Sequence, residues 1–373
     1  MYLKTLLLKQ FRNFQKQSFD FNPAFNFIFG RNAQGKTNII EAVYYLSALK
    51  SFRTTNREDL ILKGADFMAL KAVLEKDGMQ WDLSVNLTPV ERTVLLNNKK
   101  PQTRKEYHEL IPLILFEPRH IYLFRDAPSL RRQYLNRAVF LQEAGFSSVL
   151  RDYEKALMQK NKILKEGRNL SLLEIWNDQL AGIGAKIVHA RLQWLAHIHR
   201  YLSQEYEALS HAGDELRLVY HPSQNLLDGA AGRESTEIDD IKKILLDKIA
   251  LLKKQEIERR ESIVGPHRDD FSACLGERDV GQFASQGENR SVLIALKLAQ
   301  LKMYTAQYFK SPLFLLDDVA SELDNERCHY LFSYLNKEAT QVFLTTTENK
   351  IHGMEYQGEK TVFKVGHGQA HQI

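Results

Sequence analysis

The sequence predicts an α/β fold, a mixed sheet with helices, interrupted by an inserted and mainly helical lobe. Three observations carry this. Phe25-Asn26-Phe27-Ile28-Phe29 reads as a short buried strand, and Gly30-Arg31-Asn32-Ala33-Gln34-Gly35-Lys36-Thr37 follows it with two glycines separated by four residues and then Lys-Thr. After that loop Ile39, Ile40, Val43 and Leu46 recur at helical spacing. Second, Pro312-Leu313-Phe314-Leu315-Leu316 is an apolar strand ending in Asp317-Asp318. Third, residues 129–209 shift to long helical periodicity with many cations, as in the apolar set Leu180, Ile183, Ile187, Ala190 and Trp194.

Composition limits the alternatives. A chain of 373 residues, 44% hydrophobic and 26% charged, has room for two or three domains and a large core. Its net charge of +5 is compatible with a polyanionic partner. The two cysteines, Cys274 and Cys328, have neither metal spacing nor enough company for a disulfide framework, which suits a reducing interior. No stretch reaches the roughly 18 apolar residues of a membrane span, so a cytoplasmic protein is expected.

Along the chain, Leu3, Leu6, Leu8, Phe11, Phe14 and Phe19 mark two strands that enter the loop strand, with Arg12 and Asn13 between them and near enough to touch a nucleotide from below. Lys50 to Asn56 is short and polar with two cations, in reach of a phosphate. Residues 67–96 alternate as strands around the hairpin cue Asp77-Gly78. Residues 1–124 are expected to form the N-terminal part of one lobe and 125–262 the inserted helical lobe. Gly265-Pro266-His267-Arg268-Asp269-Asp270-Phe271 then returns the chain to the first lobe, with 263–373 its C-terminal part.

The chemistry follows from residue types. Gly30 and Gly35 let successive N–H groups and a helix N-terminus face phosphates; Lys36 reaches the β and γ oxygens, and the Thr37 hydroxyl is a ligand for Mg²⁺. Asn38 continues the helix start. Ser285-Gln286-Gly287-Glu288 opens a second helix and a second phosphate grip. Of the two acids, Asp317 is placed to hold the metal and Asp318 to orient or deprotonate water. Ser321-Glu322-Leu323-Asp324 follows them.

Phosphate loop, Ser-Gln-Gly-Glu, strand-Asp-Asp and Ser-Glu-Leu-Asp, in that order, resemble the ABC-type P-loop ATPases of the SMC class. Gly-Arg-Asn-Ala-Gln-Gly-Lys-Thr-Asn-Ile-Ile-Glu, Lys-Ser-Phe-Arg-Thr, Gly-Pro-His-Arg-Asp-Asp-Phe and Leu-Asp-Asp-Val-Ala-Ser-Glu-Leu-Asp narrow the resemblance to the RecF family of bacterial recombination mediators, over nearly the whole chain. The resemblance implies an ATPase head without a long coiled coil, binding ATP and Mg²⁺ and acting on DNA. It implies ATP held between two copies, with Lys36, Thr37, Asp317 and Asp318 on one side and Ser285 and Gly287 on the facing side, and Ser321 and Asp324 in the intervening loop. It further implies gapped DNA, loading of RecA, and the partners RecO and RecR.

Three departures slow the expected hydrolysis. Asp318 stands where transporter-type members carry Glu, Thr345-Thr346-Thr347 stands where many relatives carry His, and Glu117, Arg119 and His120 stand where a metal-contacting Gln is usual. Other classes share parts of the pattern. Ser285 lies 249 positions beyond Lys36, and an ATP-binding subunit of a membrane transporter has a smaller insertion between the two motifs. A small-molecule P-loop kinase needs no Ser-Gln-Gly-Glu helix, and a structural tether needs heptads over more residues than 125–262 supply.

Overall fold

A computed structural model describes residues 1–143, 145–210, 214–223, 237–319, 323–338, 341–347 and 358–373. The chain begins with strands β1 (Tyr2–Phe11), β2 (Phe14–Asp20) and β3 (Phe25–Phe29), helix α1 (Lys36–Ala48), strands β4 (Met68–Lys76), β5 (Met79–Leu87) and β6 (Arg92–Leu96), helix α2 (Arg104–His108) and strand β7 (Leu113–Phe116). Helices α3 (Pro128–Gln142), α4 (Phe146–Glu166) and α5 (Leu173–Ser210), strand β8 (Leu216–His221), helix α6 (Ile238–Arg259), strands β9 (Asp270–Leu275) and β10 (Arg278–Asp279), helix α7 (Val280–Phe283) and helix α8 (Gln286–Tyr308) follow. The chain closes with β11 (Leu313–Leu316), α9 (Asn325–Lys337), β12 (Val342–Thr346), β13 (Lys360–Gly366) and β14 (Gln369–Gln372).

By contacts the chain divides into one unit of Met1–Ile121 with Leu301–Ile373 and a second of Tyr122–Gln300. The first unit holds two sheets. One is antiparallel, in the order β2-β1-β4-β5-β6, and the other runs β14-β13-β3-β12-β11-β7. Residues 67–96 therefore pair with β1 and not with the loop strand β3. The second sheet is parallel from β13 to β7, which is why every residue of β3 and β11 is buried and all but Asn26 are apolar. Helix α1 is buried almost all round, its Ile39, Ile40 and Val43 sharing one core with Leu6 and Leu8 of the first sheet and Leu315 and Phe343 of the second. Phe21 joins the layers, its ring 4.8 Å from Phe343 and 5.5 Å from Phe19.

In the second unit β10-β9-β8 form a small antiparallel sheet beside the long helices. By packing, this unit extends past the expected boundary at 262 to Gln300. The reason lies in residues 262–271, whose contacts are with the helices: Arg131 holds Asp270 through Nε and Nη2 at 2.7 Å each, Arg191 donates to the Pro266 carbonyl at 2.9 Å, and Phe271 stacks on Tyr134. Arg191 is buried on the apolar face of α5, where it also meets Asn136 and Tyr220; the tyrosine in turn donates to Asp269.

His267 lies in this network, its Nδ1 2.7 Å from the Tyr153 hydroxyl. Burial lowers its pKa to about 4, against a smaller upward pull from the Ser262 carbonyl. A histidine with a folded value below its unfolded value of about 6.5 binds its proton only on unfolding in that interval, so its contribution is intact above pH 6.5 and is lost toward pH 4. Buried Asp269, raised by desolvation, works in the opposite direction. Urea midpoints of the parent and of His267→Asn between pH 7 and 4.5 isolate the histidine. The parent should lose more stability than the variant on acidification, by up to about 1.4 kcal/mol per pH unit.

Candidate nucleotide-binding site

The phosphate loop sits at the carboxyl end of β3, flanked by β12 and β13. In an open parallel sheet this is where ligands bind. Two glycines fix its course. A Cβ on Gly30 would lie 2.3 Å from the Val365 carbonyl oxygen, and Gly35, at φ 112°, would place one 2.6 Å from the Asn13 amide nitrogen. Asn13 spans the loop from below: its Nδ2 donates to the Gln34 carbonyl at 2.9 Å and its Oδ1 accepts from Asn38 at 2.8 Å. Lys36 is buried, its Nζ donating to the carbonyls of Gly30 at 2.8 Å and Arg31 at 3.1 Å. Burial lowers its pKa, and Asp318 and Asp317 pull it back up.

The two acids arrive from β11, whose register with β12 pairs Leu316 with Leu344. Thr37 Oγ1 donates to Asp317 Oδ1 at 2.9 Å, closing a link across 280 positions of sequence, and Thr345 Oγ1 donates to the same oxygen at 2.8 Å. Desolvation raises the Asp317 pKa, while the two hydroxyls lower it. Thr345 also accepts from the Asp318 N–H at 2.8 Å, and Asp318 has a left-handed backbone at φ 49°. One threonine thus sets both acids. The Thr37 and Asp317 oxygens have the spacing that adjacent corners of an octahedron with metal–oxygen bonds of about 2.1 Å require, so this hard-oxygen pair fits Mg²⁺.

Arg12, expected at the nucleotide, grips Glu41 of α1 through Nε and Nη2 at 2.8 and 2.6 Å. Glu41 is fully buried and also receives the Ser51 hydroxyl and Arg53, whose Nη1 donates to Asn38 at 2.7 Å. Of the two cations in the Lys50–Asn56 segment, Arg53 is therefore tied to the loop's own helix. Arg12, Asn13, Asn38, Arg53, Glu58 and Asp59 line an open cleft of about 540 Å³ beside the loop. At the opposite flank the β13–β14 turn supports the loop, with the His367 N–H donating to Gln34 Oε1 at 2.7 Å. Glu117 pairs with Arg119 at 2.9 Å and lies 3.3 Å from His120 at the end of β7.

The second grip belongs to the second unit. Ser285 and Glu288 form a reciprocal capping box at the start of α8: the Ser285 N–H donates to Glu288 Oε2 at 2.7 Å and the Glu288 N–H donates to the Ser285 hydroxyl at 3.1 Å. Ser285 and Gln286 are exposed and Gly287 partly so. These bonds to Ser285 hold the Glu288 carboxylate below its usual pKa, helped by Arg278. Asp324 caps α9 by accepting from the Arg327 N–H at 2.9 Å, while Ser321 lies outside the described residues.

Sheet order, glycine loop and paired acids define an ABC-type P-loop ATPase head with a helical insert. Residues 2–369 match the RecF/RecN/SMC N terminal domain. The chain belongs to this family, and within it to the RecF proteins. It is 32% identical over 376 residues to the DNA replication and repair protein RecF of Lactobacillus johnsonii, covering 99% of this chain and 98% of that one. With the Geotalea uraniireducens protein of the same name it shares 33% over 371 residues, 99% of each chain. A solved structure of "the recombination mediator protein RecF-ATP in RecFOR pathway" superposes with a TM-score of 0.87 at 28% identity, covering 100% of this chain and 97% of that one. An Smc head bound to a winged-helix domain of ScpA shares the fold, with a TM-score of 0.56 at 16% identity, 100% of this chain and 97% of that one. This membership replaces the transporter-subunit alternative. Among the described residues no helix is long and apolar enough to cross a membrane.

Proposed function

We propose that the chain is an ATP-dependent DNA clamp of recombinational repair and replication restart. It works in the cytoplasm at gapped or single-to-double-strand junction DNA, and helps RecR and RecO load RecA. The observation that carries this reading is the Thr37–Asp317 bond, which unites the phosphate loop with the acid-bearing strand beside buried Lys36. The backbone N–H groups of 30–37 and the Lys36 amine receive the triphosphate, and the cleft between Arg12 and Asp59 receives the nucleoside. Mg²⁺, held by Thr37 and Asp317, supplies charge neutralisation at the phosphates. Asp318 orients and deprotonates the attacking water; as the shorter acid it does so slowly. Similarity to proteins named for DNA repair and for ATP supports both the polymer and the nucleotide.

The exposed Ser285-Gln286-Gly287 helix start, within the expected C-terminal part 263–373, closes on the ATP of a second copy. Gel shifts of gapped DNA with and without ATP test the clamp: ATP should strengthen binding, and equal binding in both lanes would refute it. Ser285→Arg should leave ATP binding by one copy within about twofold, because the loop of 30–37 is untouched, yet place a bulky cation at the helix N-terminus and prevent dimers. Sedimentation equilibrium with ATP decides it, and dimers of this variant would sink the trans grip.

A further inference from the structure

The outer face of the five-stranded sheet carries an arrangement that folding alone does not favour. Of β1, the residues Thr5, Leu7 and Lys9 face out, and their partners on β2 are Asp20, Ser18 and Lys16. Lys9 thus stands directly opposite Lys16. Like charges in a cross-strand pair repel, at a cost of a few tenths of a kcal/mol or more. On the other side β1 pairs Leu7 with Lys71 of β4, so Lys71 is the diagonal neighbour of Lys9. All three lysines are exposed, and among the described residues none has a carboxylate partner. The acids of this face, Asp20, Glu75 and Asp82, gather at its other end. A sheet arranged for its own stability would interleave the two signs.

We infer that the Lys9–Lys16–Lys71 end of this sheet face is a sugar-phosphate binding surface for double-stranded DNA, carried on the same hairpin whose tip holds the nucleotide loop. This rests on the reading of the chain as a DNA clamp. Beside Leu7 and Ala69, the neighbours of the lysines on this face include Ser18, Ser84, Asn86 and Thr93, short hydrogen-bonding side chains of the kind that contact phosphate and sugar. The Lys9 amine also sits 5.1 Å over the ring of Phe67, so anionic vesicles serve as the control that separates a polymer from a lipid surface. Lys16 and Lys71 stand two strands apart, about 10 Å, so the flexible amines span a row of phosphates and not a base edge. Lys9 and Lys16 flank the turn Arg12-Asn13, and Asn13 bonds Gln34 and Asn38 at the phosphate loop. Movement of that loop on ATP binding therefore reaches the two lysines through two residues of strand on each arm.

The test measures affinity of the ATP-bound protein for a duplex as a function of salt. Lys9→Gln/Lys16→Gln/Lys71→Gln should bind about tenfold or more weakly at 0.1 M salt, with the slope of log affinity against log salt shallower by about 3. ATP-dependent dimerisation should be unchanged. A second variant separates binding from fold. Lys16→Glu turns a repulsive cross-strand pair with Lys9 into an attractive one, so its thermal midpoint should hold or rise while DNA affinity falls. Parent-like affinity and slope in the triple variant would overturn the assignment. So would a fall in midpoint that tracks the loss of DNA binding, or binding to anionic vesicles in its place. A parent protein that binds no DNA with ATP would instead refute the clamp reading, and this face with it.

Discussion

Lys36→Ala is expected to abolish ATP-dependent dimerisation and retention on DNA. In the folded chain the amine is withdrawn from water and held over the loop by the carbonyls of Gly30 and Arg31, which it exchanges for phosphate oxygens when a triphosphate arrives. A charge-assisted hydrogen bond of this kind is worth about 1.5–3 kcal/mol, and the amine offers more than one. ATP affinity should therefore fall by about 10- to 100-fold or more. Without bound triphosphate the Ser285 helix start has no anion to close upon. Equilibrium nucleotide binding followed by sedimentation at saturating ATP for the parent provides the check. Dimers of the variant at the parent's ATP concentration would show that Lys36 is not part of the closing signal.

Asp318→Asn is expected to do the reverse and trap the closed dimer on DNA. On the proposed reading Asp317, bonded to Thr37 and Thr345, serves the ground state, and Asp318 positions and deprotonates water, a step typically worth about 10² to 10⁴ in rate. Asparagine keeps its shape and its N–H bond to Thr345, so binding survives while turnover stops. Dissociation from labelled DNA after a chase with unlabelled competitor measures the lifetime. A lifetime equal to the parent's would mean that Asp317 does the catalytic work, or that release precedes hydrolysis.

The parts of the site that the sequence made legible are those encoded locally. The loop 30–37, the strand into Asp317-Asp318 and the Ser285–Glu288 helix start each fit in eight residues or fewer, and the cap itself is a spaced Ser and Glu. What stayed hidden depends on pairing between distant strands. Thr345 reads only as the first of three threonines in a stretch where relatives carry a histidine, yet the β11–β12 register makes it the residue that holds both acids. Glu41 reads as an ordinary polar position of α1, and only the approach of Arg12 and Ser51 reveals a buried carboxylate. Helical periodicity stops at 262, and the bonds of Asp269, Asp270 and His267 to the helices have no periodic signature. Gly366-His367-Gly368 was a signal available but small: His367 and Gly368 both have positive φ, as a tight hairpin turn requires, and a Cβ on Gly368 would lie 2.5 Å from the Asn13 carbonyl.

The position of β3 has a consequence for biosynthesis. Both strands that flank it, β12 and β13, are translated more than 300 residues later, and the turn that supports Gln34 comes later still. While the ribosome is making the helical insert, the phosphate loop has its sequence but neither of its neighbours, and two apolar strand edges stand open. Nucleotide therefore cannot assist folding until the last strands emerge. The interval before that is when the nascent chain is most exposed to aggregation and most dependent on chaperones, and topology of this kind also folds slowly once complete.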